Sequence, residues 1–180
     1  ALYSETLTVE LENDFLPFLY PNQYVNFSPD SGASKLALSM VSEDTADVDA
    51  LKQIYNYVVN NLTYDYDKAQ TVETGYLPDV DETLSTKTGI CFDYAALTTA
   101  MLRSCDIPCK LQIGYTGDIK HAWIDVYIRS KGWVTGAVSF KGDSWSLMDP
   151  TFDSSADSDD SEAIQDYIGN ADNYTVQFTR

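Results

Sequence analysis

Cysteine, histidine and aspartate occur in this chain in an order that suits nucleophilic acyl chemistry. Cys91 follows the turn Thr88-Gly89-Ile90 and stands where a helical pattern begins. A thiol attacks as its thiolate, and the unpaired N–H groups of a helix N-terminus or a nearby imidazolium lower its pKa. A cysteine at that position also turns its own backbone N–H outward, one half of an oxyanion hole. Gly89 lets the preceding turn approach closely, with no side chain in the way.

The chemistry also needs a base. The chain has one histidine, His121, 30 residues after Cys91 at the start of an alternating segment. A catalytic imidazole must be oriented, usually by a carboxylate or amide that accepts its other ring N–H. Asp149 lies 28 residues beyond His121, at the end of "WSLMD" and before Pro150. An antiparallel neighbour ending there would set it beside the start of the histidine strand. Asp125 competes for the role, but four residues of strand put it about 13 Å along, too far to orient the ring. Taken singly, a histidine at a strand start is an ordinary hydrogen-bonding residue and an aspartate before proline a turn former. Together, in a workable order, a helix-start cysteine, the chain's one histidine and a strand-end aspartate are a much more specific signal than any of them alone.

These residues need a helix and strands to hold them. Residues from about Cys91 to Ser104 read as a buried helix, with Ala95, Leu97, Thr98, Met101 and Leu102 mostly apolar around it; Pro108 prevents its continuation. The period then changes. "KLQIGYT" reads as a strand. "HAWIDVYI" alternates His121, Trp123, Asp125 and Tyr127 against Ala122, Ile124, Val126 and Ile128. "GWVTGAVSF" and "WSLMD" are two more strands joined by a Lys-Gly-Asp turn, and "NYTVQFT" a last one. Upstream, "ASKLALSMV" predicts a short helix. "DTADVDALKQIYNYVVNNL" predicts a longer one, capped by Asp44 with Asp47 third, and Val48, Leu51, Tyr55, Val58 and Leu62 on one face. "TYDYDKAQTVETGYLPDVDETLSTKTG" has no sustained period and reads as a long surface loop. Residues 1–32 read as an N-terminal arm with "SETLTVEL" as an edge strand, and residues 33–180 as the single catalytic domain. Helices followed by strands imply an α+β fold, a nucleophile-bearing central helix packed on an antiparallel sheet.

The chain has 180 residues and a net charge of −17. Such a field repels phosphate backbones and anionic surfaces, which argues against nucleic acid as a partner. No apolar run approaches the ~18 residues of a membrane span. Cys105 and Cys109 are either a short-loop disulfide or two small buried hydrophobes. A zinc site from Cys91, Cys105, Cys109 and His121 is disfavoured, because a helix separates Cys91 from the closely spaced pair. The acidic run from Asp153, with Asp157, Asp159 and Glu162, lacks the spacing and central glycine of an EF-hand and reads as a solvated loop. No cofactor or metal is expected.

The blocks "TGICFDYAALTTAMLRSCDIPCKLQIGY", "HAWIDVYI" and "WSLMDPTFD" resemble the three signature blocks of the transglutaminase-like superfamily, over roughly residues 33 to 153. "VDALKQIYNYVVNNLTYD" is similar to the segment these domains carry before the cysteine block. The resemblance implies a papain-like core with Cys91 as nucleophile, His121 as base and Asp149 as orienting carboxylate. It also implies a second oxyanion donor from before the cysteine, for which Tyr64 and Tyr66 are the candidates. Trp123 either shields the Cys–His pair or is packed in the core. Asp106 departs from the pattern, standing where many members have glycine, and the long segment between His121 and Asp149 holds an additional hairpin. No calcium-site pattern like that of the animal transglutaminases is present. The expected function is thiol acyl transfer on amide bonds of peptides or proteins, through a thioester, with hydrolysis preferred to transamidation. The rival reading is a non-catalytic interaction module that keeps the fold. The acidity, the modest lysine content and the start without Met suit an extracytoplasmic, secreted or cell-surface protein.

Overall fold

The computed structural model describes residues 10–141, 144–147 and 174–180 together with Glu5 and Thr8, and at 116, 136–141 and 144–147 it describes the backbone alone. Most of the N-terminal edge-strand segment, the 142–143 turn, Asp149 and the acidic run with Asp153, Asp157, Asp159 and Glu162 lie outside the described residues. Helices dominate the first part of the described chain, with two two-residue strands among them, and longer strands make up the second.

"ASKLALSMV" forms helix α1, Gly32–Met40. Helix α2, Asp47–Asn61, buries Ala50, Leu51, Ile54 and Val58, a one-sided apolar stripe at helical spacing. Its start departs from the expected one. Ala46, not Asp44, is the N-cap residue, and Asp47 opens the helix. The Asp47 carboxylate is held by a residue distant in sequence: its Oδ2 accepts the Arg129 backbone N–H at 2.8 Å.

Residues 63–89 are not the long loop that their lack of a period predicts. They hold strand β1 (Thr63–Tyr64), helix α3 (Tyr66–Thr71), helix α4 (Val80–Thr86) and strand β2 (Thr88–Gly89). Local caps stabilise the two short helices. Asp65 accepts the Lys68 backbone N–H, and Asp79 accepts those of Asp81 and Glu82. Lys87 turns into the left-handed region at φ 55° and ends α4. β1 and β2 then pair in parallel, Thr63 opposite Thr88 and Tyr64 opposite Gly89.

Helix α5, Cys91–Ser104, has the expected bounds and is buried continuously from Asp93 to Arg103. α1, α2 and α4 pack around it. The sheet packed on it contains β3 (Cys109–Thr116), β4 (Ile119–Ile128), β5 (Gly132–Lys141), β6 (Ser144–Leu147) and β7 (Tyr174–Thr179). Their order is β6-β5-β4-β3-β7, with every described pairing antiparallel. Ala122, Ile124, Val126 and Ile128 of β4 join the core with α5. The alternate face is covered too. His121, Trp123 and Asp125 are all buried. Asp125 accepts from Gln112 Nε2 at 2.6 Å, and Thr179 donates to Gln112 Oε1 at 2.7 Å. The alternation in β4 therefore separates two covered faces, not core from solvent.

Asp106 has φ 58°, which explains how it stands at a glycine-type position: aspartate is among the few side chains that tolerate the left-handed region. Cys105 and Cys109 are free thiols. Cys109 is fully buried, with its sulfur 3.5 Å from Thr99 Oγ1, as the reading of a small buried hydrophobe expects. Residues 15–25 pack on the domain, with Val25 fully buried and Phe15 against Tyr127 and Trp133.

Candidate active site

Cys91 is the first residue of α5 and is half-buried. Its sulfur lies against β4, where the backbone N–H of Ala122 is directed at it. The described pairing between β4 and β5 runs from Ile124 to Ile128, so the helix N-terminus meets β4 just beyond that ladder. The nucleophile candidate and the strand position of His121 are thereby neighbours. The expectation that the helix start depresses the thiol pKa needs correction. Burial pushes the Cys91 thiol up and outweighs the N–H groups of Ala122, Phe92 and Cys91 itself, which pull it down. Position at a helix N-terminus is legible in a sequence; desolvation of the sulfur is not.

His121 is 7% exposed, and burial lowers its imidazole to about 4. At neutral pH the ring is therefore an uncharged base. It stacks on Trp123, with ring centroids 6.2 Å apart and planes 17° apart. Trp123 is 1% exposed and lies 5.1 Å from the Tyr174 ring, so it backs the histidine from inside the sheet layer. Gly114 is paired opposite His121. A Cβ at Gly114 would come within 1.9 Å of the Thr175 carbonyl oxygen, so only glycine lets β7 pass this close behind His121. Asp149 falls outside the described residues.

Of the two tyrosines, Tyr64 is the one at Cys91. The Cys91 backbone N–H is directed at its phenol oxygen. The parallel pairing of β1 with β2 makes this contact, because it sets Tyr64 opposite Gly89, two residues before Cys91. Burial and the neighbouring Cys91 thiol push the Tyr64 phenol up to about 12, so at neutral pH it retains its proton and can donate. Tyr66 stacks edge-on against Tyr64 with centroids 4.9 Å apart and is 52% exposed, on the outer rim.

Asp93 is a residue that the sequence reading missed. It is fully buried on the first turn of α5, and its Oδ2 accepts the Ile90 backbone N–H at 2.8 Å and the Lys68 ammonium at 2.8 Å. The Tyr76 hydroxyl donates to its other oxygen. An acidic residue at the third position of a helix is a capping signal, and that part was visible. Its partners lie far back in the chain. Gly89 gains a specific reason as well: a Cβ there would lie 2.6 Å from Asp93 Cβ and 2.9 Å from Oδ2. A cavity of about 350 Å³, lined in part by Asp65, Lys68, Tyr76 and Glu82, opens beside this network. Among the described residues no cluster of three or more His, Cys, Asp or Glu side chains is arranged to hold a metal.

The chain is similar to known proteins in sequence and fold. A family profile, that of the Transglutaminase-like superfamily, matches residues 34–150. The uncharacterised protein YebA of Bacillus subtilis is 26% identical over 154 residues, covering 73% of this chain and 21% of its own length. The kyphoscoliosis peptidase of Mus musculus is 24% identical over 136 residues, 69% of this chain and 18% of that protein. A solved structure of a candidate cysteine protease from Cytophaga hutchinsonii superposes with a TM-score of 0.54 at 25% identity, covering 69% of this chain and 42% of that one. The chain thus spans about a fifth of the length of these curated relatives. A cysteine-headed buried helix on an antiparallel sheet, together with a profile that spans most of the described core, leads to one assignment: the chain belongs to the transglutaminase-like superfamily.

Proposed function

We propose that this protein is a thiol acyl-transfer enzyme that cleaves amide bonds of peptides or proteins, with Cys91 as nucleophile, His121 as base and Asp149 as the carboxylate that orients the imidazole. The observation that carries the reading is the convergence at the head of α5: a thiol against β4 next to His121, and a backbone N–H beside a protonated phenol. Membership of the superfamily and the likeness to a candidate cysteine protease support a cysteine-protease-like enzyme.

The resting pair is neutral in this reading, since burial raises the thiol and lowers the imidazole. Attack then requires the Cys91 S–H proton to pass to the imidazole as the C–S bond forms. The developing oxyanion takes the place between the Cys91 N–H and the Tyr64 hydroxyl. Collapse breaks the C–N bond, the imidazolium protonates the leaving amine, and a thioester remains. Water then resolves it to the acid. A carboxylate at the far ring nitrogen would raise the imidazole and favour the ion pair, which is the role proposed for Asp149.

Iodoacetamide labelling across pH, with adducts mapped to each cysteine, tests the nucleophile. Cys105 and Cys109 are internal controls, since burial pushes them up to about 11 and about 12. Cys91 should label faster than both, and His121→Ala should slow Cys91 alone. Equal, slow labelling of all three thiols refutes catalysis and favours an interaction module. A glutamine-containing peptide offered with and without a primary amine then reads out the acceptor: acid in both samples supports hydrolysis, and amine incorporation replaces it with transfer.

A further inference from the structure

Lys68, Asp93 and Tyr76 form a closed set of three side chains behind the nucleophile. The Lys68 ammonium donates to Asp93 at 2.8 Å and to the Tyr76 hydroxyl at 2.7 Å, and Tyr76 donates to Asp93. Lys68 also lies 4.4 Å from the centre of the Tyr76 ring. Asp93 has no exposed side-chain surface, whereas Lys68 retains 30%. Capping a helix does not require this. An exposed carboxylate satisfies an N-terminal amide without the desolvation cost of a buried one.

The placement of the set gives it a further use. Asp93 holds the amide of Ile90, the residue immediately before the nucleophile. Lys68 lies on α3, whose cap Asp65 follows Tyr64 directly and donates its own backbone N–H to the Gly89 carbonyl at 2.9 Å. One end of the set thus fixes Cys91, and the other fixes the strand that carries Tyr64. We propose that Lys68, Asp93 and Tyr76 are a positioning unit that holds the Cys91 thiol and the Tyr64 hydroxyl in register and sets the charge the thiol experiences. The inference rests on Cys91 being the nucleophile.

The charge follows from the contacts. A carboxylate two residues from the sulfur opposes a thiolate, and the Asp93 charge does raise Cys91. The Lys68 ammonium, bonded to that carboxylate, offsets it. Among the described residues, the other titratable groups around the thiol are Tyr64 of β1, Tyr66 of α3, Tyr94 of α5 and His121 of β4; burial pushes the Tyr64 and Tyr94 phenols up to about 12 and lowers the His121 imidazole to about 4, so these three are uncharged near pH 7.

The experiment is the pH profile of Cys91 alkylation by iodoacetamide in four proteins: wild type, Lys68→Met, Lys68→Arg and Asp93→Asn. Lys68→Met uncovers the carboxylate and should move the midpoint up, slowing alkylation below it about three- to tenfold. Asp93→Asn keeps an acceptor for Ile90 but removes the charge, and should move the midpoint down by a similar factor. Lys68→Arg keeps the charge and should return the midpoint to the wild-type value. A merely structural role predicts shifts in one direction for both charge-removing variants, and that result, or no shift in either, overturns the proposal. Should Asp93→Asn fail to fold, equal midpoints in Lys68→Met and Lys68→Arg overturn it instead. A wild-type Cys91 that labels no faster than Cys105 overturns the nucleophile reading, a separate failure.

Discussion

Replacing Tyr64 by phenylalanine removes one hydroxyl and nothing else from the wall of the site. In the resting protein that hydroxyl oxygen faces the Cys91 backbone N–H, and the phenol is pushed up to about 12, so it is a neutral donor at working pH. A side-chain donor lost from an oxyanion hole costs about 10²–10³ in kcat, or about 3–4 kcal/mol in the transition state. The ground state loses less. One backbone N–H at the head of α5 loses its acceptor, about 1–3 kcal/mol of stability. KM for an amide substrate should change little, because the bond forms fully only as negative charge develops on the carbonyl oxygen. The decisive comparison uses two electrophiles. Peptide amide cleavage passes through a tetrahedral oxyanion, whereas iodoacetamide is attacked at a saturated carbon and develops no such charge at the hole. Tyr64→Phe should therefore lose about a hundredfold or more in amide turnover while the rate and pH midpoint of Cys91 alkylation stay near wild type. Equal loss in both assays would mean that Tyr64 only supports the helix start, and full retention of turnover would mean that it makes no contact with the oxyanion; either result refutes the assignment.

Gly89→Ala puts a Cβ 2.6 Å from that of Asp93 and should displace its carboxylate. The expected outcome is a stability loss of about 1–3 kcal/mol by urea titration and a fall in turnover larger than the fall in stability explains. Gly114→Ala sets a Cβ 1.9 Å from the Thr175 carbonyl and should detach β7 from β3, with a loss of about 3 kcal/mol or more in the same titration. His121 has a folded-state pKa lowered from 6.5 to about 4, so the unfolded chain binds more protons between those values. Its contribution is complete above about pH 6.5 and is lost as pH falls toward 4, up to roughly 3 kcal/mol. Comparing the urea midpoints of wild type and His121→Gln at pH 7 and pH 4.5 checks this; a pH difference that survives the substitution unchanged removes His121 as its source.

What was legible in the sequence divides along physical lines. The bounds of α5 and the course of β3 and β4 follow from local periods running for eight to fourteen residues, and those elements were readable. Residues 63–89 were not. α3 and α4 have six and seven residues, too few to establish a period, and their caps resemble the Asp-rich chemistry of a loop. The pairing of Tyr64 with Gly89 joins two-residue strands 25 positions apart, and no local pattern encodes it. Yet that pairing brings Tyr64 to Cys91, which is why the sequence could name two candidate tyrosines but not choose between them.

The thiol's environment illustrates the same division from the other side. A helix start was visible and argues for a lowered pKa; burial was not visible and wins. The site answers this by distributing the work. N–H groups of Ala122, Phe92 and Cys91 favour the thiolate, and the Lys68 ammonium is bonded to the Asp93 carboxylate that opposes it. In the proposed reaction Cys91 attacks when substrate brings a carbonyl to the N–H and hydroxyl donors, and His121 takes the proton. A non-cleavable amide in the cleft should then slow alkylation by exclusion, whereas a small peptide aldehyde should add to Cys91 reversibly and lose that affinity in Tyr64→Phe, because its hemithioacetal carries the oxyanion that iodoacetamide lacks.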